Sequence, residues 1–377
     1  MADNKENKVL NVPALRFPEF TDEWHKQSLG EIGETIIGLT YKPSDVVESN
    51  GTIVLRSSNI KNGVIDYSDL VRVNKPIKER IITKENDILI CARNGSQRLI
   101  GKNAIIKKED ANNTFGAFMM VYRSKDNPFI LPLLSTKRYF SQVGENLGAR
   151  INQITTSDFN GFDFYFPNSH AERAKIAELF RLIDERIATQ NKIIEKLQSL
   201  IKGLAAQLTQ SGTPNIRLCD CLECHSSTLQ ENCVSVTGSY PVYGATGLIG
   251  YTNNYAYNGE SILIVKDGSG VGSLSYVNDH FSVIGTLNYL TAKENYSILY
   301  LYYALMAFNF TPYITGMAIP HIYFKDYGKA KLFYPSIEKR IRIASLLHNI
   351  EQKLVVEQNL VISLSAQKSY LLRMLFI

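Results

Sequence analysis

The sequence lacks the short motifs that identify several common classes of enzyme. No G-x-x-x-x-G-K-[ST] run is present, so the chain is not expected to hydrolyse ATP. An Asn-Pro-Pro-Tyr motif of adenine methylation is also missing, because Asn127-Pro-Phe129 lacks the second proline. The six histidines show no H-E-x-x-H spacing. Any catalysis in which the chain takes part is therefore expected to reside in partner proteins.

A glycine-rich segment, Gly268-Ser-Gly270-Val-Gly272, does not change this expectation. A dinucleotide-binding fingerprint must be followed by a helix, whereas Ser273-Leu-Ser-Tyr-Val is typical of a strand. We therefore interpret the segment as a hairpin loop and expect no cofactor in this chain.

Long charge-free runs are scarce. Residues 295–324 carry no Lys, Arg, Asp or Glu, but Asn309, Pro312, Gly316 and Pro320 interrupt them. A buried helix and strand of a globular domain fit this pattern better than a membrane span. The polar start, residues 1–8, has no apolar core of a signal peptide. We expect a cytoplasmic protein with no membrane partner.

Charge of one sign is also limited. The formal net charge is +5, distributed as +2 over residues 1–167, +2 over 168–210, −2 over 211–335 and +3 over 336–377. This is not the basic stripe of a protein that only grips phosphate. The third segment holds 15 of the 21 tyrosines. If it binds nucleic acid, it must use neutral polar and aromatic side chains.

Cysteines are few, but four of the five lie close together: Cys219, Cys221, Cys224 and Cys233. The spacing Cys221-Leu-Glu-Cys224-His225 matches haem attachment, and Cys219 could add a zinc ligand. Haem attachment needs export, and a structural zinc site usually takes two ligand pairs. We therefore favour reduced thiols without a metal.

What the sequence does contain is a repeat. At a constant offset of 168 it has these identical pairs: Ile130/Ile298, Leu133/Leu301, Gly148/Gly316, Ile151/Ile319, Ile154/Ile322, Asp158/Asp326 and Pro167/Pro335. After the proline the offset becomes 167, with the pairs Ile176/Ile343, Ala177/Ala344, Leu197/Leu364 and Leu208/Leu375. Because chance would rarely keep one register this long, the chain is interpreted as two copies of one unit.

Each copy begins with a strand-like part. Apolar runs separated by Gly- and Asn-rich turns predict strands at Ile53–Arg56, Asp87–Ile90 and Phe118–Tyr122, and again at Ser261–Val265 and Leu287–Leu290. A helix is predicted late in each copy, near 129–143 and 297–309. The segments Ile88–Ser96 and Ile262–Ser269 look like one strand–loop element used twice.

Each copy ends in a long helix that a proline precedes. Ile or Leu occupies positions 176, 179, 183, 187, 194, 197, 201, 204 and 208, and the second run keeps the same spacing at 343, 346, 350, 354, 361, 364, 371 and 375. A repeat of 3.5 residues is typical of a coiled-coil seam. Each helix of about 38 residues would be roughly 57 Å long.

Polar residues interrupt both seams at the same slot, Gln190 and Glu357, and Lys368 stands where the first copy has Ile201. Gln190 follows Pro167 by 23 residues and Glu357 follows Pro335 by 22, so each lies just past the middle of its helix. For an antiparallel pair related by a pseudo-two-fold axis, we predict that the two residues lie close together. The alternative places both at a wet edge of the seam.

The opening segment resembles a known family. Pro13-Ala-Leu-Arg-Phe-Pro-Glu-Phe-Thr-Asp-Glu-Trp24, followed by Ser28-Leu-Gly-Glu-Ile32, is similar to the start of specificity subunits of type I restriction–modification systems. The tandem order of variable domain, proline and long helix agrees, so the resemblance covers nearly the whole chain. One departure is Leu218-Cys-Asp-Cys-Leu-Glu223, which stands opposite Leu29-Gly-Glu-Ile-Gly-Glu34.

The resemblance implies an α+β fold with an internal pseudo-two-fold repeat. Two similar β-rich target-recognition domains, residues 1–167 and 213–335, would be separated by two long antiparallel coiled-coil helices, residues 168–212 and 336–377. Each domain would read half of a split site on double-stranded DNA. Two modification (methyltransferase) subunits and restriction/translocase subunits would be the partners, and S-adenosylmethionine, ATP and Mg would bind to those subunits.

Physical reasoning supports such a bipartite reader. Duplex DNA presents equivalent faces about every 34–36 Å, so two similar domains joined by rigid helices would naturally read two short sites with unread bases between them. Two alternatives stay open: a coiled-coil scaffold without DNA readout, and a stand-alone DNA-modifying enzyme.

The candidates for DNA contact are loop residues. Arg, Asn and Gln can make paired hydrogen bonds to bases, and neighbouring Lys and Ser can contact phosphate. In the first domain they are Arg56, Ser57, Ser58, Asn59, Arg93, Asn94, Ser96, Gln97, Arg98, Lys102, Arg150, Asn152 and Gln153. The second domain contributes Lys266, Asp267, Ser269, His321, Tyr323 and Lys325. No motif encodes the bases or the spacer length that would be recognised.

Overall fold

The structure, a computed structural model, describes residues 11–147 and 152–377. The chain divides into two compact units. The first consists of the described residues up to Thr189 together with Val361–Ile377, and the second is Gln190–Leu360. None of the helices in the described residues combines the length and the apolarity that a membrane span requires.

The first unit is built from short strands and short helices. Its strands are β1 (His25–Ser28), β2 (Glu34–Ile37), β3 (Val46–Val47), β4 (Thr52–Leu55), β5 (Ile60–Lys61), β6 (Val64–Ile65), β7 (Arg72–Val73), β8 (Ile88–Cys91), β9 (Asn103–Ile105), β10 (Thr114–Phe115), β11 (Met119–Arg123) and β12 (Asp163–Phe166). Its helices are α1 (Leu29–Ile32), α2 (Asn127–Leu133), α3 (Lys137–Leu147) and α4 (Thr156–Asn160). The sheets have the orders β1-β12, β2-β11-β8-β9, β10-β4-β7-β3 and β5-β6.

The long helix α5 (His170–Thr209) leads into the second unit. The strands there are β13 (Ile216–Arg217), β14 (Leu222–Ser226), β15 (Tyr240–Gly244), β16 (Gly247–Thr252), β17 (Tyr257–Val265), β18 (Leu274–Val283), β19 (Leu287–Ala292) and β20 (Lys331–Leu332). The helices are α6 (Leu218–Cys221), α7 (Ile298–Met306), α8 (Phe324–Tyr327) and the second long helix α9 (Ile337–Met374). The sheets have the orders β13-β20 and β14-β19-β17-β18-β15-β16.

The predicted duplication is confirmed at the level of strand order and register. The antiparallel ladder β2-β11-β8-β9 of the first unit recurs as β14-β19-β17-β18 in the second. Val121 pairs with Leu89, and Tyr289, which is 168 residues after Val121, pairs with Leu263. The terminal pair β1-β12 likewise corresponds to β13-β20.

The central ladder has apolar contacts on both faces. In β8, Ile88 and Ile90 contact one cluster of buried side chains, whereas Leu89 and Cys91 contact another. Successive residues of β17 divide between two clusters in the same way. A strand that is buried on both sides carries a continuous apolar run instead of an alternating pattern, which explains the runs that predicted these strands.

The copies differ in what lies between their first two core strands. The first copy inserts β3, β4, β7 and the hairpin β5-β6 there, and the later strand β10 joins β4 to complete a separate sheet. The second copy instead inserts the hairpin β15-β16, which extends its ladder. Repeated residues alone did not predict this difference.

Both long helices start with the same device. Arg173 Nε donates to the Pro167 carbonyl at 2.8 Å, and Arg340 Nη1, at the equivalent position, donates to the Pro335 carbonyl at 2.7 Å. Ser169 Oγ also accepts a hydrogen bond from the Glu172 amide, as an N-terminal cap does. The prolines thus end each sheet domain and fix where each helix begins.

The 3.5-residue pattern of α5 is confirmed as a buried seam, since every predicted position is buried or half-buried. In α9 one position departs from it: Leu346 is 46% exposed, and its neighbour Leu347 is buried instead. Leu347 packs with Ile343 and Ala344 in a cluster of the second unit. The first turns of α9 therefore bury the stripe that faces their own sheet domain.

The polar break in the seam forms the predicted contact. Within the second unit, Gln190 Nε2 donates a hydrogen bond to Glu357 Oε2, and Lys353 Nζ lies 2.7 Å from Glu357 Oε1. Gln190 is only 1% exposed, which excludes the wet-edge alternative for that side chain. In each unit, its segments of α5 and α9 run antiparallel. In the first unit, Phe180 stacks on Phe376 and Asp184 pairs with Lys368.

Candidate nucleic-acid interface

In the first domain, three separate segments meet at the end of β8. Arg93 and Gln153 pair as an isolated antiparallel bridge, and the Asn94 amide donates to the Asn152 carbonyl at 3.3 Å. Asn94 Nδ2 donates to Ser57 Oγ at 3.0 Å. We call Ser57, Arg93, Asn94, Asn152 and Gln153 the first loop cluster. These predicted residues are far apart in sequence, and the fold brings them together.

Local chemistry explains the shape of these loops. Asn94 Oδ1 accepts from the Ser96 amide at 3.0 Å, which is the hydrogen bond of an Asx turn. Asn152 has φ of 48°, in the left-handed region that asparagine tolerates better than most residues. Its Nδ2 donates to the Gly95 carbonyl at 3.0 Å. Asparagine is therefore required here for the backbone as well as for its amide.

The first loop cluster borders an exposed aromatic ring that sequence reasoning missed. The Arg93 guanidinium lies over the Phe118 ring, 5.2 Å from its centroid, and Phe118 is 60% exposed. The amides of Ala92 and Arg93 both donate to the Phe118 carbonyl at 3.0 Å. Phe118 was predicted to open a strand; it instead directly precedes β11, where its side chain is free to point outward.

Asn59 was predicted to contact DNA, and its burial in the structure contradicts this prediction. It is fully buried: Oδ1 accepts from the Arg56 amide at 2.9 Å, while Nδ2 donates to the carbonyls of Asp66 and Asp69 at 2.9 and 2.7 Å. Its side chain stabilises a turn and cannot reach DNA in this fold. Arg56 is itself held in a salt bridge with Asp69, at 2.8 Å.

The other first-domain candidates differ in exposure. Ser58, Ser96, Gln97 and Arg98 are exposed, the last two in a short 3₁₀ turn after the Asx turn. Lys102 is half-buried, and its carbonyl accepts from the Cys91 amide at 2.8 Å. Arg150 lies outside the described residues.

The second domain forms the same junction at equivalent positions. Asp267 and His321 pair as an isolated antiparallel bridge, as Arg93 and Gln153 do in the first domain. The Ile322 amide donates to the Lys266 carbonyl at 3.0 Å, which matches the Ile154–Ala92 hydrogen bond of 2.9 Å. We call Lys266, Asp267, Gly268 and His321 the second loop cluster.

The side chains of the second site are more aromatic. Tyr323 is 48% exposed, Lys325 Nζ lies 5.2 Å from its ring centroid, and the His321 ring meets it edge to face at 5.0 Å. Ser269 is exposed in the β17–β18 hairpin loop, which confirms that the glycine-rich segment is a hairpin loop. The second site therefore presents aromatic rings and an imidazole beside Lys266 and Lys325.

A tight loop beside the second loop cluster carries exposed apolar residues that sequence reasoning did not select. Thr315 and His321 exchange backbone hydrogen bonds of 2.9 and 2.8 Å and close the loop. Gly316 adopts φ of 88°, and a Cβ there would lie 2.3 Å from the Ile319 carbonyl oxygen. The positive φ and the lack of space for a Cβ explain why the repeat motif has glycine at position 316. Met317 is fully exposed at the tip.

The clustered cysteines behave as separate thiols. Cys221 is buried in α6, where Sγ donates to the Leu218 carbonyl at 3.3 Å, and burial raises its thiol pKa to about 12. Burial also raises the pKa of Cys224 to about 11. Within residues 11–147 and 152–377, no three His, Cys, Asp or Glu side chains are grouped so that they could hold a metal ion.

Fold and site together define a class of protein: a tandem repeat of sheet domains on two long antiparallel helices, with the same loop junction in each copy. The sequence matches the family model described as Type I restriction modification DNA specificity domain twice, over residues 21–199 and 216–364. Because these segments cover most of the chain, it belongs to the family of type I restriction–modification specificity subunits.

Individual relatives agree with this membership. The type I restriction enzyme specificity subunits StySPI of Salmonella potsdam and EcoKI of Escherichia coli (strain K12) are each 27% identical over 187 residues, or 48% of this chain. These matches span 40% of the length of either relative. The crystal structure of the type I restriction–modification S subunit from M. genitalium superposes with a TM-score of 0.68 at 17% identity, covering 97% of this chain and 99% of that one. The likeness shows a common fold.

Proposed function

We propose that the protein is the non-catalytic DNA-recognition subunit of a type I restriction–modification complex and reads a bipartite site, one half with each domain. The observation that carries this proposal is the loop junction formed twice, at Arg93–Gln153 and at Asp267–His321. A junction built twice from different side chains is what two readers of different half-sites require. Membership of the specificity family supports the same function.

The two loop clusters are suited to different contacts. Arg93, Asn94 and Gln153 can form the paired hydrogen bonds with guanine or adenine edges that discriminate bases in the major groove. Exposed Arg98 and Ser96 are placed to contact phosphate. In the second domain, His321 and Tyr323 offer one hydrogen bond each and a stacking surface, with Lys325 and Lys266 for phosphate.

We further propose that the long helices receive two modification subunits and that restriction/translocase subunits join this assembly in the cytoplasm. S-adenosylmethionine, ATP and Mg would be bound by those partners. The 3.5-residue seam is buried between the two helices, and in each unit this leaves their outer faces for a partner to dock on.

The decisive experiment first obtains the recognition site. The chain is co-expressed with the modification subunit of its own system, and the methylated adenines of the host genome are mapped. A bipartite motif is the expected result. A single undivided motif would contradict the proposal, and so would methylation by this chain alone.

Each half-site is then assigned to a domain. Binding of the complex is measured on duplexes in which one half or the other is scrambled, using Arg93→Ala with Gln153→Ala, and separately His321→Ala with Tyr323→Ala. Each double variant should lose about 1–3 kcal/mol of binding free energy for each good base contact that it removes. The loss should appear only on duplexes in which the half-site read by the altered domain is intact. Glu109→Ala, at an exposed position outside both loop clusters and both long helices, is the control and should bind normally. If footprinting shows no protected patches, the chain is a scaffold without readout.

A further inference from the structure

A second site lies in the second unit, away from both loop clusters. A cavity of about 540 Å³ opens between the hairpin β17–β18, helix α7 and helix α9. Among the residues that line it are Glu260, Tyr276, Tyr302, His348, Glu351 and Val355. The cavity therefore combines two carboxylates with aromatic rings and an imidazole.

Tyrosine hydroxyl groups donate hydrogen bonds that orient both carboxylates. Tyr302 donates to Glu351 Oε1 at 2.9 Å and Tyr303 donates to Oε2 at 2.7 Å, while Tyr276 donates to Glu260. Burial and the nearby Glu351 carboxylate both raise the pKa of Tyr302 and of Tyr303, so these phenols stay neutral donors. Among the described residues, neither carboxylate has a Lys or Arg in a salt bridge.

In the first copy, the equivalent carboxylate forms a salt bridge. Asp184, at the position equivalent to Glu351, pairs with Lys368 Nζ at 2.5 Å in the first unit. The residue equivalent to Lys368 is Ile201, which is 4% exposed. An internal cation therefore neutralises this helix position in one copy, whereas the other copy has an apolar residue in the place of that cation.

The imidazole has an unused hydrogen-bonding atom. His348 Nδ1 is buried without a hydrogen-bond partner, and its ring centroid lies 6.3 Å from that of Tyr276. Gln352 Nε2, an amide donor, lies 3.4 Å from His348 Nε2, so Nε2 is the accepting ring nitrogen and Nδ1 carries the proton. The ring lines the cavity, and its signal can report what binds there.

We propose that this cavity binds an organic cation with N–H donors, of the guanidinium or primary ammonium type. Glu351 and Glu260 would accept its N–H groups and neutralise its charge, and Tyr276 and Tyr302 would offer ring faces to it. Two carboxylates that already accept phenol hydrogen bonds suit such a cation better than a hard metal ion, which takes six or more oxygen ligands. This site goes beyond DNA recognition.

The test uses the full chain without DNA and follows the histidine side-chain signals by NMR, with His348 assigned through His348→Gln. The probes are agmatine and, as a matched cation without N–H groups, tetramethylammonium. We expect a saturable shift of the His348 signal with agmatine, at least tenfold tighter than with tetramethylammonium. Equal binding of the two probes, or no saturable shift, would overturn the proposal.

Variants make the assignment specific. Glu351→Gln, which keeps the shape of the side chain, should weaken agmatine at least tenfold. Ile201→Lys should abolish binding, because it recreates beside Glu351 the internal cation that the first copy provides at Asp184. Lys368→Ile, the reverse exchange in the first unit, should leave the titration unchanged. If Ile201→Lys does not fold, Glu351→Gln decides: unchanged affinity would refute the site.

Two further measurements distinguish the source of the cation. If an arginine or lysine of the modification subunit fills the cavity, Glu351→Gln should weaken association with that subunit about tenfold. If a free polyamine fills it, spermidine should compete with agmatine and association should be unaffected. At a saturating concentration of the modification subunit, DNA binding by Glu351→Gln should equal that of the wild type in both cases, so failure of this site and failure of DNA recognition give different results.

Discussion

Glu172, near the start of α5, joins the opening segment to the first unit. Its side chain is 1% exposed and accepts two hydrogen bonds of 2.7 Å from the Arg16 guanidinium and one of 3.2 Å from Trp24 Nε1. The hydrogen bond with Glu172 raises the pKa of Arg16. The equivalent residue of the second copy is Lys339. The opening segment that resembles the family is thus fixed by a pair that only the first copy has.

We predict that Arg16→Ala lowers the free energy of unfolding of the first unit by about 3 kcal/mol, because it leaves a carboxylate buried without its cation. Guanidinium unfolding followed by the fluorescence of Trp24, the single tryptophan, reports this unit. Arg181→Ala removes an exposed pair with Glu178 and should cost under about 1 kcal/mol. If the two variants lost equal free energies of unfolding, burial would not determine the strength of the pair between Arg16 and Glu172.

At the scale of elements, the part-buried contact between Gln190 and Glu357 interrupts a mostly apolar seam. A single polar seam residue lowers the stability of a coiled coil while it penalises slipped registers. The contact joins equivalent positions of the two copies. It is therefore placed to fix the register of α5 against α9.

We predict that Gln190→Leu combined with Glu357→Leu raises the melting temperature by about 2–6 °C, since replacing a buried polar pair with apolar residues often stabilises by 1–4 kcal/mol. The register should become looser, and the complex should tolerate a wider range of DNA spacers. Thermal unfolding and binding to duplexes of varied spacer measure the two effects. Gln198→Leu, at an exposed position, is the control; an equal rise there would mean that removing the buried pair has no special effect.

A length change in the helix tests its role as a spacer. Inserting four residues near position 189 of α5, about one helical turn, should alter the tolerated DNA spacer by one or two base pairs, given about 5.4 Å of helix against 3.4 Å per base pair. Mapping methylated sites gives the new spacer. Replacing four residues at the same place by alanine keeps the length and should keep the spacer. An unchanged spacer after the insertion would mean that the helices do not set it.

At the scale of the whole molecule, each sheet domain is closed by its first and last strands. His25 pairs with Phe166 in the first domain, and Ile216 pairs with Leu332 in the second. The ends of each domain are therefore adjacent, so that a domain can be exchanged with two cuts at one strand pair.

We predict that replacing residues 25–165 by the corresponding domain of a relative changes one half of the recognised site and leaves the other half. The reason is that the first loop cluster forms entirely within this segment. Methylated-adenine mapping of the exchanged protein measures both halves at once. A change in both halves would show that the domains do not read independently.

The sequence alone was sufficient for the duplication, the two long helices and the Gln190–Glu357 contact. These features depend on the spacing of apolar residues and on the symmetry of the repeat, and both can be recognised from the order of residues along the chain. It also selected the two loops that hold Arg93 and Gln153, through a repeated strand–loop element and a repeated Gly–Ile motif, but it did not predict that the two loops meet.

Only the tertiary structure decided which side chains are available at the site. Asn59 and Phe118 show why: a polar residue in a loop was predicted to be exposed and is buried under its own turn, while an aromatic residue beside a strand was predicted to be part of it and is exposed. The same holds for Glu351: its counterpart Asp184 pairs with Lys368, whereas the position equivalent to Lys368 holds Ile201. Exposure and charge pairing are set by contacts between residues that are distant in sequence, and spacing along the chain does not encode them.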